Sequence, residues 1–112
     1  MRATREISWV TAARKAFDEF PAGAKAVAWP ALTILAEGGM PVIVKPLHGF
    51  EPGIVEVAVR HGGNAYRVII GLRLGNDMWV LHAFQKKSHQ GIRTPIHELD
   101  VARRRIRRIR EL

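Results

Sequence analysis

One segment of the chain could hold paired cations against an anion. The apolar residues Val80–Phe84 lead through Gln85 into Lys86 and Lys87, so a strand here would carry two ammonium groups at its end. A polar loop containing one glycine follows and ends at Thr94-Pro95, where a helix can begin. Cations fixed at the end of a rigid strand are suited to binding phosphate, and we interpret the anion as RNA.

Two other segments predict a second group of charges. Residues 54–60 and 65–73 both alternate between apolar and other side chains, the pattern of strands. The alternation predicts that four charged residues share one sheet face: Glu56, Arg60, Arg67 and Arg73. Arg60 and Arg67 would then lie close across a hairpin, which is unfavourable unless something negative lies between them. Glu56 could neutralise part of this pair, and a bound phosphate is the functional alternative.

The positive charge of the chain is confined to its second half. The net charge is +8, and residues 1–59 contain six Lys or Arg and six Asp or Glu. Residues 60–112 contain twelve and four, respectively. A one-sided field of this kind attracts polyanions, of which nucleic acid is the commonest in a cell. An acidic partner protein is the alternative.

Composition places the chain among ordinary globular proteins. Its 112 residues are 47% hydrophobic and 25% charged, which predicts one domain spanning residues 1–112. There is no cysteine, so disulfide and thiolate chemistry are excluded and a reducing cytoplasm is compatible. No apolar run approaches the roughly 18 residues of a membrane helix, and the N-terminus lacks the core of a signal peptide. We therefore expect a soluble, cytoplasmic protein that does not bind membranes.

The first half of the chain predicts one strand and two helices. Residues 7–10 predict a short strand, and Thr11 is positioned to cap a helix that begins at Ala12. A second helix is expected from Ala24 to the glycines at 38–39, with four residues on its buried side: Val27, Ala31, Ile34 and Leu35. Pro30 should kink this helix or split it into two short ones.

The second half predicts a meander of strands followed by a helix. Residues 41–50 form a proline-bounded, extended connector, and three strands follow over residues 54–60, 65–73 and 78–85. The third strand is apolar on both faces, which indicates a central position. Residues 95–112 predict a helix with one apolar stripe: Ile96, Leu99, Ala102, Ile106 and Ile109. Its other faces carry six arginines in eight residues, a density that indicates contact with nucleic acid or an acidic partner.

The element order and several motifs resemble the RelE/ParE/HigB superfamily of toxins from bacterial toxin–antitoxin pairs. The chain is most similar to the phage-derived, HigB-like branch. The matching segments are Lys45-Pro46-Leu47-His48-Gly49-Phe50, Val55-Glu56-Val57 with Arg60, Tyr66-Arg67-Val68, Leu81-His82-Ala83-Phe84-Gln85-Lys86-Lys87-Ser88, Gly91-Ile92 and Thr94-Pro95. The resemblance implies an α+β, RelE-like (microbial-ribonuclease-like) fold, in which an antiparallel sheet is flanked by two N-terminal helices and a C-terminal helix.

The resemblance also implies an activity and its partners. Toxins of this kind are mRNA endonucleases, or mRNA interferases, that usually act on the ribosome and are inhibited by a cognate antitoxin, often of helix-turn-helix type. Their strand arginine and the basic residues after the last strand act on the scissile phosphate, and these positions are Arg67, Lys86 and Lys87 here. This chain departs from some members in having Glu56 and Ala58 where they have lysines in the strand before the hairpin, and it lacks their tyrosine between Ser88 and Arg93.

Metal-free RNA cleavage uses the ribose 2′-hydroxyl as the nucleophile. It needs cations around the phosphate and groups that move protons. We assign the cationic role to Arg67 and Arg60, with Lys86 and Lys87 placing the phosphate. The candidate acids and bases are His48, His89 and Glu56. His82 lies within an apolar strand and is interpreted as a core residue. Further RNA-binding candidates are Lys45, Arg73, Arg93, Arg103, Arg104 and Arg107. We expect no cofactor and no metal site, because no metal-ligand spacing is present.

Two other functions are compatible with the sequence. The ParE members of the superfamily inhibit DNA gyrase without cleaving RNA, and a degenerate phage protein could bind only its antitoxin or RNA. The Lys86-Lys87 pair and Arg67 favour the ribonuclease, because gyrase inhibition does not require them. The codon preference, the general base and the oligomeric state are not specified by the sequence.

Overall fold

A five-stranded sheet with helices on both faces forms the body of the protein. A computed structural model describes residues 4–86 and 93–112. The elements in chain order are β1 (Ile7–Trp9), α1 (Thr11–Asp18), α2 (Ala22–Ala36), β2 (Val44–Pro46), β3 (Ile54–His61), β4 (Asn64–Leu74), β5 (Asp77–Lys86) and α3 (Ile96–Arg110). The predicted α+β class is confirmed, and the arrangement is consistent with a RelE-like fold.

The strand order is β1-β5-β4-β3-β2. Three of the four neighbouring pairs are antiparallel, as the predicted meander requires, and the short edge strand β1 runs parallel to β5. The predicted connector over residues 41–50 was only partly correct, since it contains the edge strand β2. Val44 of β2 pairs with Val57 and is buried, which explains why a segment bounded by prolines still joins the sheet. Strand β5 is internal, as its apolar faces predicted.

A two-residue turn sets the register of the central hairpin. Gly62 and Gly63 have φ angles of 60° and 79°, the positive values that a type I′ turn requires. This register places Arg67 opposite Ala58 and Arg60 opposite Ala65. The two arginines share a face as predicted, but each lies directly opposite an alanine and they are only diagonal neighbours.

Each face of the sheet has its own apolar core. Helices α1 and α2 cover one face, where Phe17 and Leu32 pack against Val57 and Val68. Helix α3 covers the other face, and Ala102 and Ile106 pack there against Ile69, Leu81 and Phe84. Because both faces are covered, charged side chains on the α3 face are partly enclosed between the sheet and the helix.

Helices α1 and α2 differ in detail from the sequence-based expectation. Thr11 is the first residue of α1 and not its cap, and no side chain caps this helix at Val10. Helix α2 continues through Pro30 without splitting. Of the four residues predicted on its buried side, Ala31 and Leu35 are buried, but Val27 and Ile34 are each 42% exposed. The helix is apolar around most of its circumference, so its sequence identified the packed side only in part.

Helix α3 follows the predicted stripe except at its first residue. Ala102 and Ile106 are buried, but Ile96 is 75% exposed because it lies in the first turn, before the helix reaches the sheet. Pro95 is the residue that precedes the helix. Among the helices that the structure describes, none has the length and apolar composition needed to cross a membrane.

Candidate active site

Glu56 and Arg67 meet on the sheet face that α3 covers. Arg67 Nε lies 3.3 Å from Glu56 Oε1, and both side chains are only 12% exposed. The pair bridges β3 and β4 diagonally, since Glu56 is opposite Ile69 and Arg67 is opposite Ala58. The ion pair is therefore a product of the hairpin register, and it confirms that Glu56 neutralises part of the positive charge on this face.

The contact between these two side chains is incomplete. Arg67 Nε is fully buried and has no hydrogen-bond partner within the described residues, because its N–H does not point correctly at Glu56. The other carboxylate oxygen, Glu56 Oε2, accepts a 2.5 Å hydrogen bond from the hydroxyl of Thr94. Thr94 thereby fixes the segment before α3 against the middle of the sheet.

Two further cations belong to the same face at the end of the hairpin. Arg60, Ala65 and Lys86 occupy one row across β3, β4 and β5, next to the row that holds Arg67. Lys86 is only 4% exposed, whereas Arg60 is exposed. The small side chain of Ala65 separates the two, so the row has cations at both ends and little bulk between them. The predicted residues Arg67, Lys86, Arg60 and Glu56 are thus brought together.

A polar network lies beside this site, between β5 and α3. His82 Nε2 is 2.7 Å from Glu98 Oε1, and Arg105 Nη1 contacts both His82 Nδ1 at 3.2 Å and the carbonyl oxygen of Leu81 at 2.9 Å. Burial is the main cause that lowers the pKa of His82, and Glu98 acts in the opposite direction. Burial also lowers the pKa of Arg105, followed by repulsion from Arg104. His82 is a satisfied core residue, as interpreted from the sequence.

Other predicted site residues lie elsewhere or outside the described residues. Lys87 and His89 fall in residues 87–92, which the structure does not describe. His48 is exposed in the loop after β2, beside the Ile54 end of β3, and the structure does not bring it to Lys86 and Arg60 at the opposite end.

The remaining RNA-binding candidates outside α3 lie on the sheet and just before α3, and they do not form one cluster. Lys45 is exposed on the edge strand, directly opposite Glu56. Arg73 is exposed on β4, six residues beyond Arg67 and past an irregularity in the β4–β5 pairing, so it does not join the cluster. Arg93 is exposed immediately before Thr94.

The arginines of α3 divide into two groups. Three are held by the domain: Arg103 stacks on Phe50 at 4.5 Å and pairs with Asp100, Arg105 joins the His82 network, and Arg110 pairs with Glu51. Arg104, Arg107 and Arg108 are exposed, and no ion pair involves them within residues 4–86 and 93–112. Only the second group presents its charge freely to solvent.

Sequence reasoning did not assign a role to Thr94, Glu98 or Arg105. The Thr-Pro sequence indicated the start of a helix, but the bond from Thr94 to Glu56 joins residues 38 positions apart. Arg105 was counted among the surface arginines, although its place on the inner side of α3 could have been read from the helical period. The contacts themselves depend on how α3 lies across the sheet.

Most of the chain is similar to a known protein family. Residues 15–107 match the model of the family described as Phage derived protein Gp49-like (DUF891). The chain belongs to this family. No curated protein matches the chain significantly. The matched residues of this Gp49-like protein include all the described members of the candidate site.

The arrangement has the components of a phosphate site. The largely enclosed guanidinium of Arg67 lies beside the carboxylate of Glu56, and the buried Lys86 and the exposed Arg60 lie in the next row on the same face. Within residues 4–86 and 93–112, no three His, Cys, Asp or Glu side chains are grouped so that they could hold a metal ion. The charged groups that the site does present are those used in phosphoryl chemistry by side chains alone.

Proposed function

We propose that this Gp49-like protein is the toxin of a type II toxin–antitoxin pair. Its activity would be metal-independent cleavage of mRNA on the translating ribosome. Membership of a phage-derived family, a fold consistent with the RelE type and the resemblance of its motifs to HigB-like toxins support the proposal. Its partners would be a cognate antitoxin of helix-turn-helix type, mRNA and the ribosome.

One observation carries the proposal: the Nε–H of the enclosed Arg67 has no hydrogen-bond partner among residues 4–86 and 93–112, and Lys86 and Arg60 lie in the next row of the same face. Buried polar groups are nearly always satisfied, so a buried N–H without a hydrogen-bond partner needs an explanation. Arginine can hold two phosphate oxygens with its planar fork. A phosphodiester on this face would supply the missing acceptor and lie among three cations.

We assign the roles as follows. Arg67 and Lys86 hold the negative charge that develops on the phosphorane, and Arg60 binds the neighbouring phosphate at the exposed edge. Glu56 is the carboxylate closest to Arg67 within the described residues, and it accepts the proton of the 2′-hydroxyl. The 2′ oxygen forms a bond to phosphorus, the bond from phosphorus to the 5′ oxygen breaks, and the leaving oxygen takes a proton from water. Lys87 and His89 would act in the same reaction from residues 87–92.

Growth on expression tests the proposal in a cell. Expression of the wild type should arrest growth, and Arg67→Ala should abolish the arrest, while Arg73→Ala should retain it because Arg73 lies outside the cluster. Arrest that persists in Arg67→Ala, together with inhibition of supercoiling by purified gyrase, would replace the ribonuclease with a ParE-like inhibitor. If the wild type is expressed but does not arrest growth, the protein would be an inert binding protein and not a toxin.

A further inference from the structure

We infer that the carboxylate of Glu56 occupies the phosphate position of Arg67 in the resting protein, so that RNA must displace it. The inference rests on the site of the proposed function, but it concerns binding and not cleavage. Glu56 then has a masking role in addition to any part in proton transfer. In this view the protein carries its own competitor for its substrate.

The geometry of the pair is that of a competitor and not of an optimised ion pair. A carboxylate presents two oxygens to a guanidinium much as a phosphate does, and the strongest such pairs are bidentate. Here the closest approach is that of Oε1 of Glu56 to Arg67 Nε, at 3.3 Å, and the buried Nε–H does not form a hydrogen bond with it. Arg67 therefore has an anion beside it but retains hydrogen-bonding capacity that a phosphate oxygen could satisfy.

Thr94 explains why the pair stays incomplete. Its hydroxyl donates to Oε2 of Glu56, so that oxygen is already engaged and is held in the direction of α3. Without this bond, Glu56 could turn both oxygens toward Arg67 and form a tighter pair. Thr94 is thus a positioning residue that acts through Glu56. It keeps the pair between Glu56 and Arg67 weak, which lowers the free energy needed for a phosphate to replace the carboxylate.

Burial explains why Arg67 needs an anion beside it even when no RNA is bound. Both side chains are 88% buried, and an enclosed guanidinium without a nearby anion is strongly unfavourable. Exchange of one anion for another keeps Arg67 neutralised throughout. A single small anion would gain little over Glu56, whereas an RNA strand adds contacts with Lys86 and Arg60. The mask should therefore favour polyanions over free phosphate.

Binding to RNA that cannot be cleaved tests the masking role. Fluorescence anisotropy with a labelled, fully 2′-O-methylated oligoribonucleotide would compare the wild type with Glu56→Gln, which keeps an acceptor for Thr94 but removes the charge. We expect Glu56→Gln to bind about tenfold more tightly. The matched control is Glu19→Gln, which removes the same charge from an exposed residue at the end of α1, the helix that covers the other face of the sheet. It should change the affinity less than twofold.

The role of Thr94 has a separate signature. Thr94→Val should weaken RNA binding several-fold, because Glu56 can then close on Arg67, whereas Thr94→Ser should bind like the wild type. In the Glu56→Gln background, Thr94→Val should have no further effect, since there is no carboxylate to release. A purely structural threonine would weaken binding equally in both backgrounds, and that result would reject the positioning role.

Folding is checked by thermal unfolding of each variant. If Glu56→Gln does not fold, Glu56→Asp replaces it, because the shorter side chain withdraws the carboxylate from Arg67 and should bind RNA a few-fold more tightly. Equal or weaker RNA binding by the folded Glu56 variant would overturn the inference. This result would leave the proposed function intact if the wild type cleaves mRNA. Conversely, tighter binding without any cleavage by the wild type would support the mask and reject the ribonuclease.

Discussion

Arg105 donates a hydrogen bond from Nη1 to Nδ1 of His82, and this contact fixes the tautomer of the imidazole. Arginine is only a donor, so Nδ1 must be the unprotonated ring nitrogen and Nε2 must carry the hydrogen that is donated to Glu98. Both contacts are satisfied by neutral imidazole. A proton added at Nδ1 would instead face the guanidinium. The network therefore joins β5 to α3 in a form that is specific to neutral His82.

The network predicts a pH-dependent loss of stability. Burial lowers the pKa of His82 in the folded protein, so below the ordinary histidine value of about 6.5 the unfolded chain binds a proton that the folded protein does not. The stability contributed by His82 is complete above this pH and is lost as the pH falls from there toward the folded pKa. Glu98, His97 and Arg105 are the charged or titratable groups that act on the ring.

Urea unfolding at pH 7.5 and pH 5.5 measures this contribution. His82→Gln should lower the free energy of unfolding by about 1–3 kcal/mol at pH 7.5, because it leaves buried polar groups unpaired. The difference in the free energy of unfolding between His82→Gln and the wild type should be smaller at pH 5.5. His48→Gln, at an exposed histidine in the loop after β2, is the control and should follow the wild type. A difference that stays constant or widens at pH 5.5 would contradict the neutral network.

The glycines of the central hairpin should be needed for stability. Gly62 and Gly63 both have positive φ angles, which cost a residue with a Cβ about 1 kcal/mol or more. The double variant Gly62→Ala/Gly63→Ala should therefore have a free energy of unfolding about 2 kcal/mol lower than that of the wild type. Gly62→Asn should be close to the wild type, since asparagine tolerates this conformation. Equal stability of the double variant would show that the type I′ turn is not what sets the register.

Replacement of Lys86 should separate function from folding. Lys86 is 4% exposed, and Lys86→Met removes its charge while retaining an unbranched side chain of similar length. We expect RNA cleavage to fall about 100-fold and the free energy of unfolding to stay the same or rise, because burial of an ammonium is costly. Lys15→Met, at an exposed position of α1, should change neither property. A Lys86→Met protein that cleaves at the wild-type rate would remove Lys86 from the site.

The outward arginines of α3 should account for part of the salt dependence of RNA binding. Each phosphate contact contributes about −0.7 to −0.9 to the slope of log affinity against log salt. The triple variant Arg104→Gln/Arg107→Gln/Arg108→Gln should flatten the slope for ribosome binding by about 2. Arg110→Gln should alter it little, because Glu51 already neutralises Arg110. An unchanged slope in the triple variant would indicate that these arginines face a different partner, such as the antitoxin.

The sheet and part of the site followed from local patterns in the sequence. The period of two in residues 54–60 and 65–73, together with the Gly-Gly turn, is sufficient to place Glu56, Arg60 and Arg67 on one face. The stripe of α3 likewise predicted that Ala102 and Ile106 would be buried. These features depend on neighbours within one hairpin or one helix.

Features that depend on long-range packing could not be predicted in this way. Thr94, which bonds to Glu56, lies just before α3, and Glu98, which bonds to His82, lies within it. The angle of α3 on the sheet is not encoded in any local period. Ala31 and Leu35 of α2 are buried as predicted, but Val27 and Ile34 were misassigned because they are no less apolar than the residues that pack. The strand β2 was missed because it is only three residues long, ends in Pro46 and gains its stability by pairing with β3.

The central claim is that Arg67 binds the phosphate at which mRNA is cut. Primer extension on a reporter mRNA in a purified translation system tests it, with and without ribosomes, using the wild type, Arg67→Ala, Arg67→Lys and the control Arg73→Ala. We predict cuts that require ribosomes, that Arg73→Ala retains, and that Arg67→Ala loses by at least about 100-fold. Arg67→Lys should recover only part of the activity, because an ammonium cannot provide the planar fork. Cleavage by a folded Arg67→Ala protein at the wild-type rate, or no cleavage by the wild type under either condition, would contradict the claim.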